Sequence, residues 1–195
     1  MVYDVKNVFY LDMQMEMPLT ATTAPGESNT AQLDLSAYID PIARGRSKGT
    51  GLAIYKVHYA VSGTSEGYLP ANLADSGIFR GGLVAGAGLG TTTGVTLTGQ
   101  ANAPAPDNAL AIMGFDFYGP DATGATGPSV PSPLNRTFLE PSKDVPYVVV
   151  RDNVCAVATM EVAMQTVSYV NFRLECAQIT LDQATLNQLL RTQTV

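Results

Sequence analysis

The sequence predicts an all-β protein, an eight-stranded antiparallel jelly roll built as a two-sheet sandwich or barrel, with a short C-terminal α-helix. About eight segments alternate apolar and polar residues with the two-residue period of half-buried strands. Long connections rich in Gly, Pro and Thr separate these segments, and a helical leucine pattern follows the last of them. At 195 residues, the chain is expected to form one domain spanning residues 1–195.

The first four predicted strands lie in the N-terminal half of the chain. In Phe9–Met17 every odd position is apolar, which indicates a strand with one buried face. Its methionines are interpreted as core filling in preference to an adaptable binding surface. Gln32–Ser36, Leu52–Val61 and Ile78–Val84 are the next three predicted strands.

The C-terminal half supplies the other four strands. Val95–Thr98 and Ala109–Tyr118 are extended segments flanked by glycine and proline. Val145–Arg151 and Val154–Met164 are counted together as one strand region, divided by a turn. Residues 156–164 could alternatively form a helix, since Ala, Met and Glu favour it, but frequent valines favour a strand.

The last predicted strand, Val167–Ile179, has its apolar residues at even positions from Val170 to Cys176. Asn171, Arg173 and Glu175 fall on the opposite face. On the outside of a sandwich, these three side chains are candidate contacts to another subunit.

A short helix is predicted over about residues 182–191. Thr180-Leu181-Asp182-Gln183 fits a capping box that begins at Thr180, and leucines then recur at helical spacing. Leu186, Leu189 and Leu190 are further candidate subunit contacts, since the helix covers one end of the sheet or docks on a neighbouring subunit. Deletion of residues 182–195 is therefore expected to impair assembly more than folding.

The charge composition argues against nucleic-acid binding. The net charge is −6 and neither end carries a basic run, whereas phosphate contacts require a basic patch. Arg44, Arg46 and Lys48 are interpreted as a solvated loop tip. Charged residues make up 14% of the chain, against about 25% in an average soluble protein. So few charges leave neutral surface, which is typical of an interface.

The sequence offers no catalytic, metal-binding or cofactor-binding constellation, and we expect no enzyme activity. His58 is the single histidine, too few for a metal site, a catalytic triad or a cupin centre. Gly86–Gly90 lacks the spacing of a phosphate-binding loop. Cys155 and Cys176 are interpreted as buried free thiols, with a disulfide as the alternative if their strands pair. No apolar run reaches the length of a transmembrane helix.

The low-charge, eight-strand pattern, with Phe9–Met17 at the front and Tyr147–Ile179 at the back, resembles the single jelly-roll major capsid proteins of tailless icosahedral DNA viruses. The resemblance covers nearly the whole chain and is architectural. It implies a virion protein whose barrels stand upright and assemble with copies of themselves or with a second capsid barrel protein. The absence of a basic arm suits a capsid lined by an internal membrane or another protein layer. The expected location is the virion, after assembly in the host cytoplasm.

Two other classes of function stay open at this point. One is a different assembly protein, namely a phage head-decoration or tail component or a surface-layer subunit. The other is a carbohydrate-binding jelly-roll module, which would need exposed aromatic residues on one face. The absence of Trp weakens that reading, and nine tyrosines keep it open.

Overall fold

The computed structural model describes residues 8–17, 28–40, 48–63, 78–86, 110–118, 134–162 and 168–193. These residues form nine strands and one helix: β1 (Phe9–Met17), β2 (Ser28–Asp34), β3 (Lys48–Gly63), β4 (Ile78–Ala85), β5 (Ala111–Tyr118), β6 (Leu134–Leu139), β7 (Tyr147–Val149), β8 (Asn153–Val162), β9 (Ser168–Asp182) and α1 (Gln183–Thr192).

The strand order is that of a jelly roll. One sheet has the order β1-β9-β3-β7, the other has the order β2-β8-β4-β5-β6, and all neighbours are antiparallel. We call them the first and second sheets. The chain changes sheet after every strand except β4 and β5, because β4, β5 and β6 are consecutive neighbours in the second sheet. As a result β1 pairs with β9 and β2 pairs with β8. The predicted fold class is confirmed, with β6 added as an edge strand to the eight strands of the jelly roll.

The count of eight strands is wrong by one within the described residues, and the assignment of segments also differs. Tyr147–Val149 and Asn153–Val162, predicted as one region, are separate strands in different sheets, because the chain crosses between the sheets at residues 150–152. β6 was not predicted from the sequence. It is an edge strand that pairs only with β5, and such a strand needs few apolar residues, so its sequence shows no clear alternation. The predicted strand Val95–Thr98 lies outside the described residues.

The main core lies between the two sheets. Val170, Phe172, Leu174 and Cys176 point inward from β9, as their even positions predict, and Met13 and Met15 of β1 join the same cluster. Aromatic rings connect the layers: Phe115 of β5 stacks on Tyr59 of β3, with ring centroids 4.3 Å apart. The interpretation of the β1 methionines as core filling is thereby confirmed for Met13 and Met15.

A β-bulge in β3 changes which residues face the core. The register with β9 shifts between Ile54 and Lys56, so an extra residue, Tyr55, enters the strand there. Before the bulge Leu52 and Ile54 point inward, and after it Val57 does. In the regular two-residue period of the predicted strand Leu52–Val61, Tyr55 would share a face with Val57. It instead packs on the outer side of the first sheet.

α1 covers half of that outer side. Its Leu186 is 0% exposed and packs against Ala53, Tyr55, Val150, Ala177, Ile179 and Leu181, while Leu189 and Leu190 are half-buried at the same cluster. Gly49 permits this contact, because a Cβ there would collide with the Leu186 side chain. The helix therefore belongs to a second apolar cluster, and its deletion should damage folding as well as assembly.

The helix begins one residue later than predicted and uses another cap. Asp182 is the N-cap, and its carboxylate accepts a hydrogen bond from the Thr185 backbone N–H at 2.7 Å. Thr180 is not the cap that the capping-box prediction required, because Leu181 and Asp182 after it still belong to β9 and the helix begins at Gln183. Asp182 satisfies the same need, since an N-cap oxygen pairs with one of the free N–H groups of the first turn.

Candidate assembly surface

The other half of the outer side of the first sheet carries polar residues on three adjacent strands. We call it the polar face and define it by Tyr10, Asp12 and Gln14 of β1, Asn171, Arg173 and Glu175 of β9, and Lys56, His58, Ala60 and Ser62 of β3. The even residues of β1 and the odd residues of β9 point the same way because Tyr10 lies opposite Glu175 and Asp12 lies opposite Arg173. An open groove runs across this face between β1 and β3.

Arg173 links β9 to β1. Its Nε donates to Asp12 Oδ1 at 2.8 Å, and its guanidinium lies 5.7 Å from the centre of the Tyr10 ring. The hydrogen bond to Asp12, together with the charge of that carboxylate, raises the pKa of Arg173 above its ordinary value. Both charged side chains are more than half exposed, so the pair contributes little to stability and mainly fixes the orientation of Arg173.

Glu175 links β9 to β3. Its Oε1 lies 2.8 Å from His58 Nε2, and this hydrogen bond is the main cause that lowers the pKa of Glu175 below its ordinary value. The positive charges of Lys56 and Lys143 act in the same direction. His58 therefore orients Glu175, a predicted contact residue. In the sequence, His58 was considered only as a candidate for a catalytic or metal site.

Asn171 connects all three strands. It accepts a hydrogen bond from Gln14 Nε2 at 2.7 Å and donates one to Ser62 Oγ at 2.9 Å. The three contact residues predicted on β9 thus lie side by side, and each is braced by a neighbouring strand. Their role in subunit contact stays a prediction. Among the predicted leucines, Leu186 is buried in its own chain and Leu189 and Leu190 are half-buried, so they hold α1 on the sheet.

Asp116 and the two cysteines are ionisable groups outside the polar face that are buried. Asp116 is buried and accepts two hydrogen bonds from the Arg80 guanidinium, at 2.6 and 3.1 Å. Cys155 and Cys176 are buried free thiols in different sheets, which confirms the first interpretation and excludes the disulfide. Burial raises the pKa of Cys155 to about 11 and that of Cys176 to about 12, so neither is a nucleophile at neutral pH.

The described part of the chain contains neither a metal-binding cluster nor a membrane-spanning helix. No three of its His, Cys, Asp or Glu side chains come together in a group that could hold a metal ion. α1, its one helix, is too short and too polar to cross a membrane.

Gln193 has a structural role that no sequence pattern predicted. Gln193, just after α1, is buried, and its side-chain amide pairs with β7: Nε2 donates to the Val148 carbonyl at 2.7 Å and Oε1 accepts from the Val150 N–H at 3.2 Å. A glutamine beyond the end of a helix has no periodicity or motif to mark it. Only the packing of α1 on the sheet reveals its role, which is to complete the edge of β7.

The solved structures that are similar to this chain include two polyomavirus proteins. Apo New Jersey polyomavirus VP1 matches 90% of this chain with 100% of its own, at a TM-score of 0.45 and 9% identity. VP1 of the trichodysplasia spinulosa-associated polyomavirus, solved in complex with sialylated glycooligomers, matches 93% of this chain with 97% of its own, at a TM-score of 0.34 and 10% identity. No family model and no curated protein matches the sequence.

Both similar structures are polyomavirus VP1 proteins. At these scores and identities they provide no residue-by-residue correspondence. The jelly-roll assignment therefore rests on the strand order of the two sheets.

Proposed function

We propose that this protein is a virion structural protein, a capsid subunit that self-assembles through the sides of its barrel and its loops. The polar face is the observation that carries the proposal. Its donors and acceptors are held in place by cross-strand hydrogen bonds, so burying them against a neighbour costs little further side-chain entropy. A rigid polar sheet surface of this kind suits a repeated contact better than it suits catalysis.

In this proposal, Asn171, Arg173 and Glu175 contact the next subunit directly, and Leu189 and Leu190 extend the contact from α1. Leu186 acts indirectly, because it is buried within the chain and fixes the helix. The partner is another copy of the chain or a second capsid barrel protein, and the location is the virion. Assembly in the host cytoplasm, proximity to an internal membrane, the lack of enzyme activity and the lack of nucleic-acid binding stay predictions.

The proposal is tested by measuring the mass and shape of the purified full chain. Light scattering after size-exclusion chromatography and negative-stain microscopy should show rings or closed shells at micromolar concentrations. Flat lattices or tubes would favour the surface-layer and phage alternatives. A monomer at every concentration and salt condition would contradict the proposal, and measurable sugar affinity in that monomer would favour the carbohydrate-binding module.

Residue dependence of assembly gives the second readout. Arg173→Ala should weaken assembly several-fold at unchanged thermal stability, because Arg173 is exposed on the polar face and its pair with Asp12 contributes little to folding. Arg136→Ala is the matched control, since Arg136 is an exposed arginine on β6 of the second sheet. Equal assembly of the two variants and the original chain would remove the polar face from the proposed interface.

A further inference from the structure

The outer edge of β1 is long and regular. The strand has nine residues, pairs with β9 without a bulge, and contains neither proline nor lysine. Natural proteins usually interrupt such an edge with those residues or with a bulge, because unpaired backbone groups can join another strand. The edge strands of the second sheet are shorter, at seven residues for β2 and six for β6.

The backbone groups on this edge can be identified from one contact. The Asn29 side-chain amide donates to the Glu16 carbonyl. The backbone C=O and N–H groups of Glu16 therefore point away from β9, toward the outer edge of β1. Backbone groups in a strand point to alternate sides, and hence Tyr10, Asp12 and Gln14 face the same edge as Glu16. In the described part of the chain no strand pairs with this side of β1, and Asn29 covers only its end.

The opposite edge of the same sheet is closed. There the Gln193 amide pairs with the Val148 carbonyl of β7 and with the N–H of Val150 just after it, so two of the groups that a further strand would need are already occupied. Large exposed apolar side chains of the described residues lie near both edges: Val8 (48%) and Tyr10 (58%) at the start of β1, and Val145 (75%) just before β7.

We propose that β1 pairs with β1 of a second copy of this chain, antiparallel, about a two-fold axis at Met13. The two four-stranded sheets would then form one continuous sheet of eight strands across the contact. In this register Tyr10 lies opposite Glu16 and Asp12 lies opposite Gln14. The inference rests on the proposed self-assembly and specifies which strand makes one of its contacts.

Charge selects this register. β1 carries two acids and no base, so a symmetric pair must keep the acids apart. An axis at Asp12 would place Asp12 against its own copy, and an axis at Gln14 would place Asp12 against Glu16. An axis at Met13 avoids both arrangements and also overlaps all nine residues of the two strands.

Charge substitutions at Gln14 test the register. Gln14→Lys places a cation opposite Asp12 at two symmetric positions and should tighten self-association several-fold, whereas Gln14→Glu should weaken it several-fold. Both variants lose the hydrogen bond to Asn171, so their difference isolates the charge. Gln32→Lys and Gln32→Glu, on exposed Gln32 of β2 in the second sheet, are the controls for general charge effects and should differ little from each other. Sedimentation velocity measures the association.

Disulfide cross-linking tests the pairing directly. Tyr10→Cys and Glu16→Cys chains, mixed under mild oxidation, should form a covalent heterodimer faster than either chain forms a homodimer. Cys155 and Cys176 do not compete, because both are fully buried. Asn187→Cys, on the exposed face of α1, is the control and should not cross-link to either. Assemblies without the mixed cross-link and without the Gln14 charge effect would overturn this inference alone, and a persistent monomer would overturn the proposed function with it.

Discussion

At the scale of single residues, Gln193 shows how one side chain can take the place of a strand. Its amide supplies one donor and one acceptor to β7, as a neighbouring backbone would, and the residue is only 3% exposed. Buried backbone groups that lose such partners keep the full cost of desolvation. The contact also ties the end of α1 to the sheet, because the Gln193 N–H donates to the Leu189 carbonyl.

Replacing this glutamine should therefore cost more than its size suggests. Gln193→Leu should lower the free energy of unfolding by about 1–3 kcal/mol, because the Val148 carbonyl and the Val150 N–H lose their partner. Urea denaturation measures the change. Gln188→Leu is the matched control on the exposed side of α1 and should stay within about 0.5 kcal/mol of the original chain. Equal effects would mean that the amide pairing is unimportant.

Gly114 illustrates a second single-residue requirement, on the outer side of the second sheet. The Phe138 ring of β6 lies directly over it, and the Arg80 guanidinium lies 5.0 Å from the centre of that ring. A Cβ at residue 114 would overlap the ring. Glycine at this position thus lets β6 dock on β5.

Gly114→Ala should accordingly lower the free energy of unfolding by about 1–3 kcal/mol through overpacking. A double-mutant cycle identifies the cause: in a Phe138→Ala background the same substitution should cost much less, since the obstructing ring is gone. Thermal or urea unfolding of the four chains provides the comparison. An undiminished cost in that background would place the strain in the backbone instead of the ring.

At the scale of elements, α1 is held by its cap and by the face that it buries. Asp182 caps the first turn, and Leu186 anchors the helix in the cluster that includes Ile179 and Leu181. Thr180 and Asp182 are both residue types that cap helices, so the sequence alone could not decide between them. The prediction used Thr180, whereas the structure uses Asp182.

Alanine substitutions distinguish the two caps. Asp182→Ala should destabilise the protein by about 0.5–2 kcal/mol through loss of the hydrogen bond to the Thr185 N–H. Thr180→Ala should cost clearly less, because Thr180 lies exposed in β9. Circular dichroism during urea unfolding measures both. The reverse order of effects would support the capping box that begins at Thr180.

Elements with a strong period could be predicted from the sequence, and those defined by long-range pairing could not. The residue range of β1 and the two faces of β9 follow from alternation alone. The bulge at Tyr55 could not be anticipated, because it depends on the register with β9. The same limit applies to the polar face: its β9 residues could be selected from their alternation, whereas the partners Asp12 and His58 required the strand order.

At the scale of the whole molecule, three carboxylates among the described residues have a pKa below the ordinary value. The causes are hydrogen bonds: from the Ser36 N–H to Asp34, from His58 to Glu175, and from the Thr185 N–H to Asp182. A carboxyl group of this kind binds protons more weakly in the folded state than in the unfolded state. It therefore stabilises the fold at neutral pH and loses that effect as it is protonated.

Acid should consequently destabilise the protein within a defined window. The free energy of unfolding should be nearly constant above pH 5, and it should decrease as the pH falls below the ordinary values of 4.5 for Glu and 3.8 for Asp. Urea unfolding between pH 7 and pH 3 measures the decrease. A chain with Asp34→Asn, Glu175→Gln and Asp182→Asn should show a flatter profile, and an unchanged profile would assign the acid sensitivity to other groups.

The pairing of β1 with β9 has a consequence for how the subunit is made. Phe9 lies opposite Cys176, so β1 leaves the ribosome long before β9, the strand with which it pairs in the sheet. β3 depends on the same strand, since β9 lies between β1 and β3. A prematurely terminated chain therefore lacks the strand that carries Asn171, Arg173 and Glu175. The topology thereby excludes incomplete translation products from any assembly built on that face.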